Sequence, residues 1–175
     1  MQPRKVVLPI NLSRAYEELI ERSGGTLEGS RTGLGNVAIK AAEVRADIAG
    51  LADGHYVFSD FLPAPDCFIT LTRALALFGE DLLSGIRACF GESFGAVRRR
   101  RLECPWGAKG RVMRGLAEKF GGDTQAILTD GVKLSLEGGS WVLMLPDPDN
   151  PLFYVYAEAG GSANSFKNGS ERPRL

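Results

Sequence analysis

Hydrophobic and polar residues alternate in Val132-Lys133-Leu134-Ser135-Leu136, which predicts a strand with one buried face. Gly138-Gly139 follows as a hairpin turn signal. Trp141–Leu145 and Leu152–Tyr156 are rich in strand formers and predict two further strands. Between them lies Pro146-Asp147-Pro148-Asp149-Asn150-Pro151. Its three prolines fix φ and remove backbone donors, which predicts a stiff loop.

Helical spacing dominates further upstream. Lys5–Ile10 reads as a short strand. Asn11 or Ser13 can cap the helix after it, whose apolar face is Leu12, Ala15, Leu19 and Ile20, and Gly24-Gly25 stops that helix. Thr26–Ser30, Ile48-Ala49 and Tyr56–Phe58 read as strands. A helix is expected over Val37–Arg45, with Ala38, Ala41 and Ala42 as its apolar positions. Pro65 is expected to open a long helix through Phe78, with Phe68, Leu71, Leu75 and Phe78 as its core stripe. This alternation is the pattern of a βαβ layer.

An amphipathic segment at 81–90 and Gly91-Glu92-Ser93-Phe94-Gly95 mark a boundary. Beyond it, Val97–Cys104 predicts a strand broken by Pro105. Ala108–Phe120 predicts a helix with Val112, Leu116 and Phe120 apolar, and Ala126–Leu128 a strand before those described first. The reading is an α/β domain over 1–90 and an α+β domain over 91–160, the latter a mainly antiparallel sheet with a helix packed on it. The Gly- and Ser-rich stretch 161–175 is expected to be a disordered tail.

Composition narrows the function classes. The chain has 175 residues, 44% hydrophobic and 24% charged, enough to bury a core. Lys+Arg and Asp+Glu stand at 21 each, which argues against a general nucleic-acid binder. No stretch reaches the ~20 apolar residues of a membrane span, and Val6-Val7-Leu8 is too short for a signal peptide core. A soluble cytoplasmic protein is expected. Cys67, Cys89 and Cys104 form no metal or redox spacing and read as ordinary thiols of a reducing compartment.

Three constellations carry candidate chemistry. Arg98-Arg99-Arg100-Arg101 with Lys109, Arg111 and Arg114 could gather phosphorylated ligands or an acidic partner. It could also be a strand whose arginines face opposite ways, two lining solvent and two pairing with acids elsewhere. His55, the only histidine, could contact a ligand hydroxyl or orient its own loop. Gly33-Leu34-Gly35 lacks dinucleotide-fold spacing and reads as a strand-to-helix turn.

The region from Asp130-Gly131-Val132 through Trp141 and Pro151 to Glu158-Ala159 resembles the last domain of the phosphohexomutases (phosphomannomutase/phosphoglucomutase). Lys5–Ile10 with the following helix and Gly24-Gly25 resembles the start of their third domain. The run Cys104-Pro105-Trp106 with Lys109-Gly110 and Val112-Met113-Arg114 is similar to the branch fused to mannose-1-phosphate guanylyltransferase. Asp47–Phe58 resembles the sugar-recognition core G-E-x-S-G-H, in which Gly50, Gly54 and His55 match. The resemblance therefore implies sugar contacts at Asp53, Gly54, His55 and Asn36, and a phosphate loop at Asp147, Asp149 and Asn150.

The departures from that pattern are chemical. Leu51 replaces a sugar-binding Glu and Asp53 a Ser. In the phosphate loop Leu145 replaces an Arg, Asp147 a Ser and Asp149 a Thr. Ionised carboxylates only accept hydrogen bonds and repel phosphate, so a degenerate site is expected. The phosphoserine loop and the magnesium loop of a working mutase are not in this chain. Magnesium would be held by a domain absent here, no catalytic residue is assigned, and the chain alone is expected not to turn over. The expected role is that of a C-terminal fragment in sugar-nucleotide metabolism that recognises hexose phosphate weakly. The alternative is a non-catalytic module docking on a nucleotidyltransferase domain or subunit, with no nucleic acid or membrane involved.

Overall fold

Lys5–Pro9 forms β1, buried at Val6, Val7 and Pro9, and burial on both faces is what a central strand of a covered parallel sheet requires. The computed structural model describes residues 5–78, 84, 97–122 and 126–160. The chain divides into two compact units, Met1–Gly91 and Glu92–Leu175.

In the first unit, β1 is followed by α1 (Ala15–Arg22), β2 (Thr26–Ser30), α2 (Leu34–Val44), β3 (Ile48–Gly50), β4 (Tyr56–Phe58), β5 (Leu62–Pro65) and α3 (Cys67–Phe78). The sheet order is β2-β1-β3-β4-β5. β1 pairs parallel with β2 and β3, while β3–β4 and β4–β5 are antiparallel. The core is Val7, Val37, Ala41, Ala46, Ala49 and Val57. Burying each of its valines contributes about 1.5–3 kcal/mol. Ser13, rather than Asn11, steadies the start of α1, its Oγ accepting the Ala15 N–H at 3.1 Å. Gly24, at φ +76, ends α1 as expected, and the Gly25 N–H returns to the Ile20 carbonyl.

The structure corrects the reading of residues 62–78. Leu62–Pro65 is a strand, and Pro65 pairs with Val57 instead of opening a helix. Prolines are tolerated there because β5 is an edge strand. The helix starts at Cys67, capped by Asp66, whose Oδ1 accepts the Ile69 N–H at 2.9 Å. Its supposed core stripe is exposed: Phe68 by 79%, Leu71 by 53% and Leu75 by 48%. Spacing identified residues that share a face, but that face is uncovered. α2 also begins three residues earlier than expected, at Leu34, behind Gly33 at φ +92.

The second unit comprises β6 (Arg98–Glu103), α4 (Trp106–Phe120), β7 (Ala126–Ile127), β8 (Val132–Ser135), β9 (Trp141–Pro146) and β10 (Leu152–Glu158). Its antiparallel sheet has the order β6-β10-β9-β8-β7, and α4 packs near β8. β9 alternates buried and half-buried residues, with Trp141, Leu143 and Leu145 inside. Val132 and Phe153 add to that core. The β8–β9 hairpin closes through a 3-10 turn at Glu137–Gly139, with Gly138 and Gly139 both at positive φ. α4 starts at Trp106, directly after Pro105, two residues before the expected Ala108. The amphipathic segment 81–90, apart from Ser84, and the tail 161–175 lie outside the described residues.

Candidate functional site

Because β1, β2 and β3 are parallel, the connections that follow them leave at one edge of the first sheet. The chain passes from β1 to β2 on one side, then crosses to β3 on the other. Ligands of open α/β sheets bind outside strand carboxyl ends at such a reversal. The loop after β1 carries Asn11, and the turn after β3 carries Asp53, Gly54 and His55.

That turn is tightly specified. The Gly54 N–H donates to the Leu51 carbonyl at 3.2 Å, and the Leu51 N–H donates to the His55 carbonyl at 3.0 Å. Gly54 adopts φ +87, a conformation that glycine reaches without strain. Asp53 Oδ1 lies 2.9 Å from His55 Nδ1 and accepts the His55 backbone N–H at 3.3 Å. Hydrogen bonding by the His55 side chain holds the Asp53 carboxyl below the usual carboxylate range, against a smaller opposing effect of desolvation. Both side chains are more than half exposed. A carboxylate and an imidazole at the surface can bond hydroxyls, and a protonated imidazole can also meet an anion.

Asn36 sits in the first turn of α2, exposed, with Nδ2 donating to the Thr32 carbonyl at 2.7 Å. Its amide nitrogen thus steadies its own helix start. Leu51 packs against the valine core. Sequence reasoning treated Asn11 only as a cap. Its Oδ1 is instead shielded from solvent and has no hydrogen-bond partner among the described residues. Tyr16, in the first turn of α1, has its phenol pushed up by burial and by Tyr56.

The loop of the second unit is closed on itself. Asp147 is buried, and its Oδ1 accepts the N–H of Asp149 at 2.8 Å, the N–H of Asn150 at 2.7 Å and Asn150 Nδ2 at 3.2 Å. The Asp147 N–H goes to the Leu152 carbonyl at 3.1 Å, and the Leu152 N–H to the Asn150 carbonyl at 2.8 Å. Pro148 and Pro151 have no N–H. Every backbone donor from 147 to 152 is therefore spent inside the loop. Burial pushes the Asp147 carboxyl up, but the hydrogen bonds from Asp149, Asn150 and Tyr154 outweigh it and hold it below the usual range.

Lys109 completes the closure. It is buried, not part of an exposed basic patch, and its Nζ donates to the carbonyls of Asp147 and Asn150. The same ammonium lies 3.9 Å from the centre of the Trp106 ring. A shallow cavity of about 550 Å³ opens beside the loop, lined by Glu103, Cys104, Trp106, Asn150 and Pro151 among others. On β9 and β10, Trp141 Nε1 donates to the buried Glu158 at 2.6 Å, so this pair helps to hold the two strands together. Cys104 is buried and Cys67 exposed. Among the described residues no three His, Cys, Asp or Glu side chains converge to hold a metal ion.

Residues 1–89 match the family model described as phosphoglucomutase/phosphomannomutase, alpha/beta/alpha domain III. The chain belongs to this family. A curated protein of Methanosphaera stadtmanae, named "Probable phosphoglucosamine mutase", is 26% identical over 171 residues. That match covers 95% of this chain and 37% of the relative, so the chain spans little more than a third of the relative's length. A phosphoglucomutase/phosphomannomutase family protein of Burkholderia thailandensis superposes with a TM-score of 0.73 at 18% identity, over 90% of this chain and 34% of that one. An Aspergillus fumigatus N-acetylphosphoglucosamine mutase, solved with GlcNAc-6P and magnesium, superposes with a TM-score of 0.54 at 12% identity, over 92% of this chain and 36% of that one. At those identities the shared property is the fold. No helix among the described residues of this family member is long and apolar enough to cross a membrane.

Proposed function

We propose that this phosphohexomutase-family chain recognises hexose phosphates weakly through the Asp53–His55 turn, with Asn36 as a further polar contact, and does not clamp phosphate at Asp147, Asp149 and Asn150. The observation that carries this is the saturation of the loop at 147–152. A phosphate site offers unspent N–H groups, hydroxyls or a cation. Here the backbone donors go to Asp147 Oδ1 and to loop carbonyls, and the nearby cation Lys109 is bonded to two carbonyls. The Asp53–His55 pair, by contrast, is exposed at the sheet edge where open α/β folds take ligands.

In this reading the chain is a recognition portion of a sugar-nucleotide pathway protein, without the phosphoserine and magnesium loops that phosphoryl transfer needs. On the run Cys104–Arg114 we further assign it to the branch fused to mannose-1-phosphate guanylyltransferase. The test uses the chain's single histidine. Its imidazole gives one side-chain resonance pair, to be followed during titration with mannose 1-phosphate and glucose 1-phosphate. The expected result is a progressive shift with no saturation below about 1 mM, an affinity weaker than about −4 kcal/mol. An unmoved imidazole, or submillimolar saturation, would overturn the reading.

A further inference from the structure

β6 is the outer strand of its sheet, paired with β10 on one side and with no strand on the other among the described residues. All six of its residues are exposed. The Cys104 N–H reaches the Pro151 carbonyl at 2.8 Å, so the alternation of an antiparallel ladder turns the N–H and C=O groups of Arg99, Arg101 and Glu103 outward. Such an edge is a template for one more strand.

The side chains select what can be added. Arg99 and Arg101 stand on one face of the sheet, and Arg98 and Arg100 on the other. None of the four forms an ion pair among the described residues, and only Arg99 has a ring partner, Tyr154 at 5.1 Å. A phosphate backbone runs along one line and could follow only one of these two rows. A paired peptide strand alternates as β6 does, so consecutive acids would meet arginines on both faces. A second copy of β6 is disfavoured, because it would set arginine against arginine.

We propose that the free edge of β6 is a docking site for an extended acidic peptide segment, which adds as a sixth strand. β6 belongs to the second unit and the Asp53–His55 turn to the first, and the proposal does not depend on sugar recognition.

Fluorescence anisotropy tests it on the full chain. The probe is a labelled peptide of four consecutive glutamates flanked by valine and threonine. We expect binding that weakens roughly tenfold between low and physiological salt, because exposed charge pairs are screened. R99E/R101E and R98E/R100E should each lose about tenfold or more, because like charges placed opposite each other on paired strands repel. Circular dichroism would verify that both variants remain folded. The same peptide N-methylated at alternate positions should fail to bind, since strand addition needs its N–H groups. The proposal is overturned if the parent peptide does not bind, if the N-methylated peptide binds equally well, if only one arginine pair matters, or if an RNA oligomer of equal charge binds more tightly.

Discussion

Lys109, buried in α4, donates from Nζ to the backbone carbonyl of Asp147, 38 positions later, and also to that of Asn150. One ammonium therefore ties the start of the helix to both ends of the loop. Lys109→Met would remove the donor and leave two carbonyls under-bonded. We expect a loss of about 2–3 kcal/mol, within the range for hydrogen bonds to charged groups, read as a lower urea midpoint.

The Asp147 carboxyl is held below its usual range by the loop hydrogen bonds, so its titration is linked to stability. A depressed carboxylate contributes stability that is fully present above its unfolded pKa, about 3.9, and is lost as pH falls through the lower folded value. Asp147→Asn keeps an oxygen acceptor but cannot ionise. The stability difference between parent and variant should therefore be constant above about pH 5 and shrink toward pH 2. Urea midpoints across that range would show it. A difference that grows toward low pH would contradict the assignment. Asp53 and Asp60 are also depressed, which is why the comparison with the variant, not the parent's slope alone, is informative.

Gly131, in the Asp-Gly-Val motif, lies at φ +78, and a Cβ there would sit 2.1 Å from the Met144 carbonyl oxygen. The hairpin therefore needs a residue without a side chain at this position. Gly131→Ala should cost about 1–3 kcal/mol or more from backbone strain alone, with the clash in addition. Thermal unfolding would measure it.

Two leucines of similar sequence appearance should behave differently. Leu143 is fully buried in β9, so Leu143→Ala should cost about 2–5 kcal/mol. Leu71 is 53% exposed on α3, so Leu71→Ala should change stability by no more than about 0.5 kcal/mol. A large loss at Leu71 would mean that its face is covered after all.

Much of the fold was legible in the chain. Period-two alternation marked β8, a run of strand formers marked β9, and Gly24-Gly25 marked the end of α1, because each rests on local backbone preference. β5 was missed because Pro65 read as the opening residue of a helix, and only the sheet order shows that an edge strand accommodates a proline there. The α3 stripe failed for a different reason, since periodicity says which residues share a face and nothing about what covers it. Lys109 was counted in a basic patch, because no local pattern distinguishes a buried lysine from a solvated one. Its partners lie 38 and 41 positions away. The Asp53–His55 pair is two residues apart, but only the turn geometry shows that the side chains meet.

The loop at 147–152 has spent its backbone donors, whereas the Asp53 and His55 side chains, bonded to each other, remain more than half exposed. A backbone-amide NMR titration with mannose 1-phosphate distinguishes the loop from the turn. The Asp149 and Asn150 amides should stay fixed while those of Gly54 and His55 move. Saturating shifts at Asp149 and Asn150, with Gly54 and His55 unmoved, would contradict recognition through the turn.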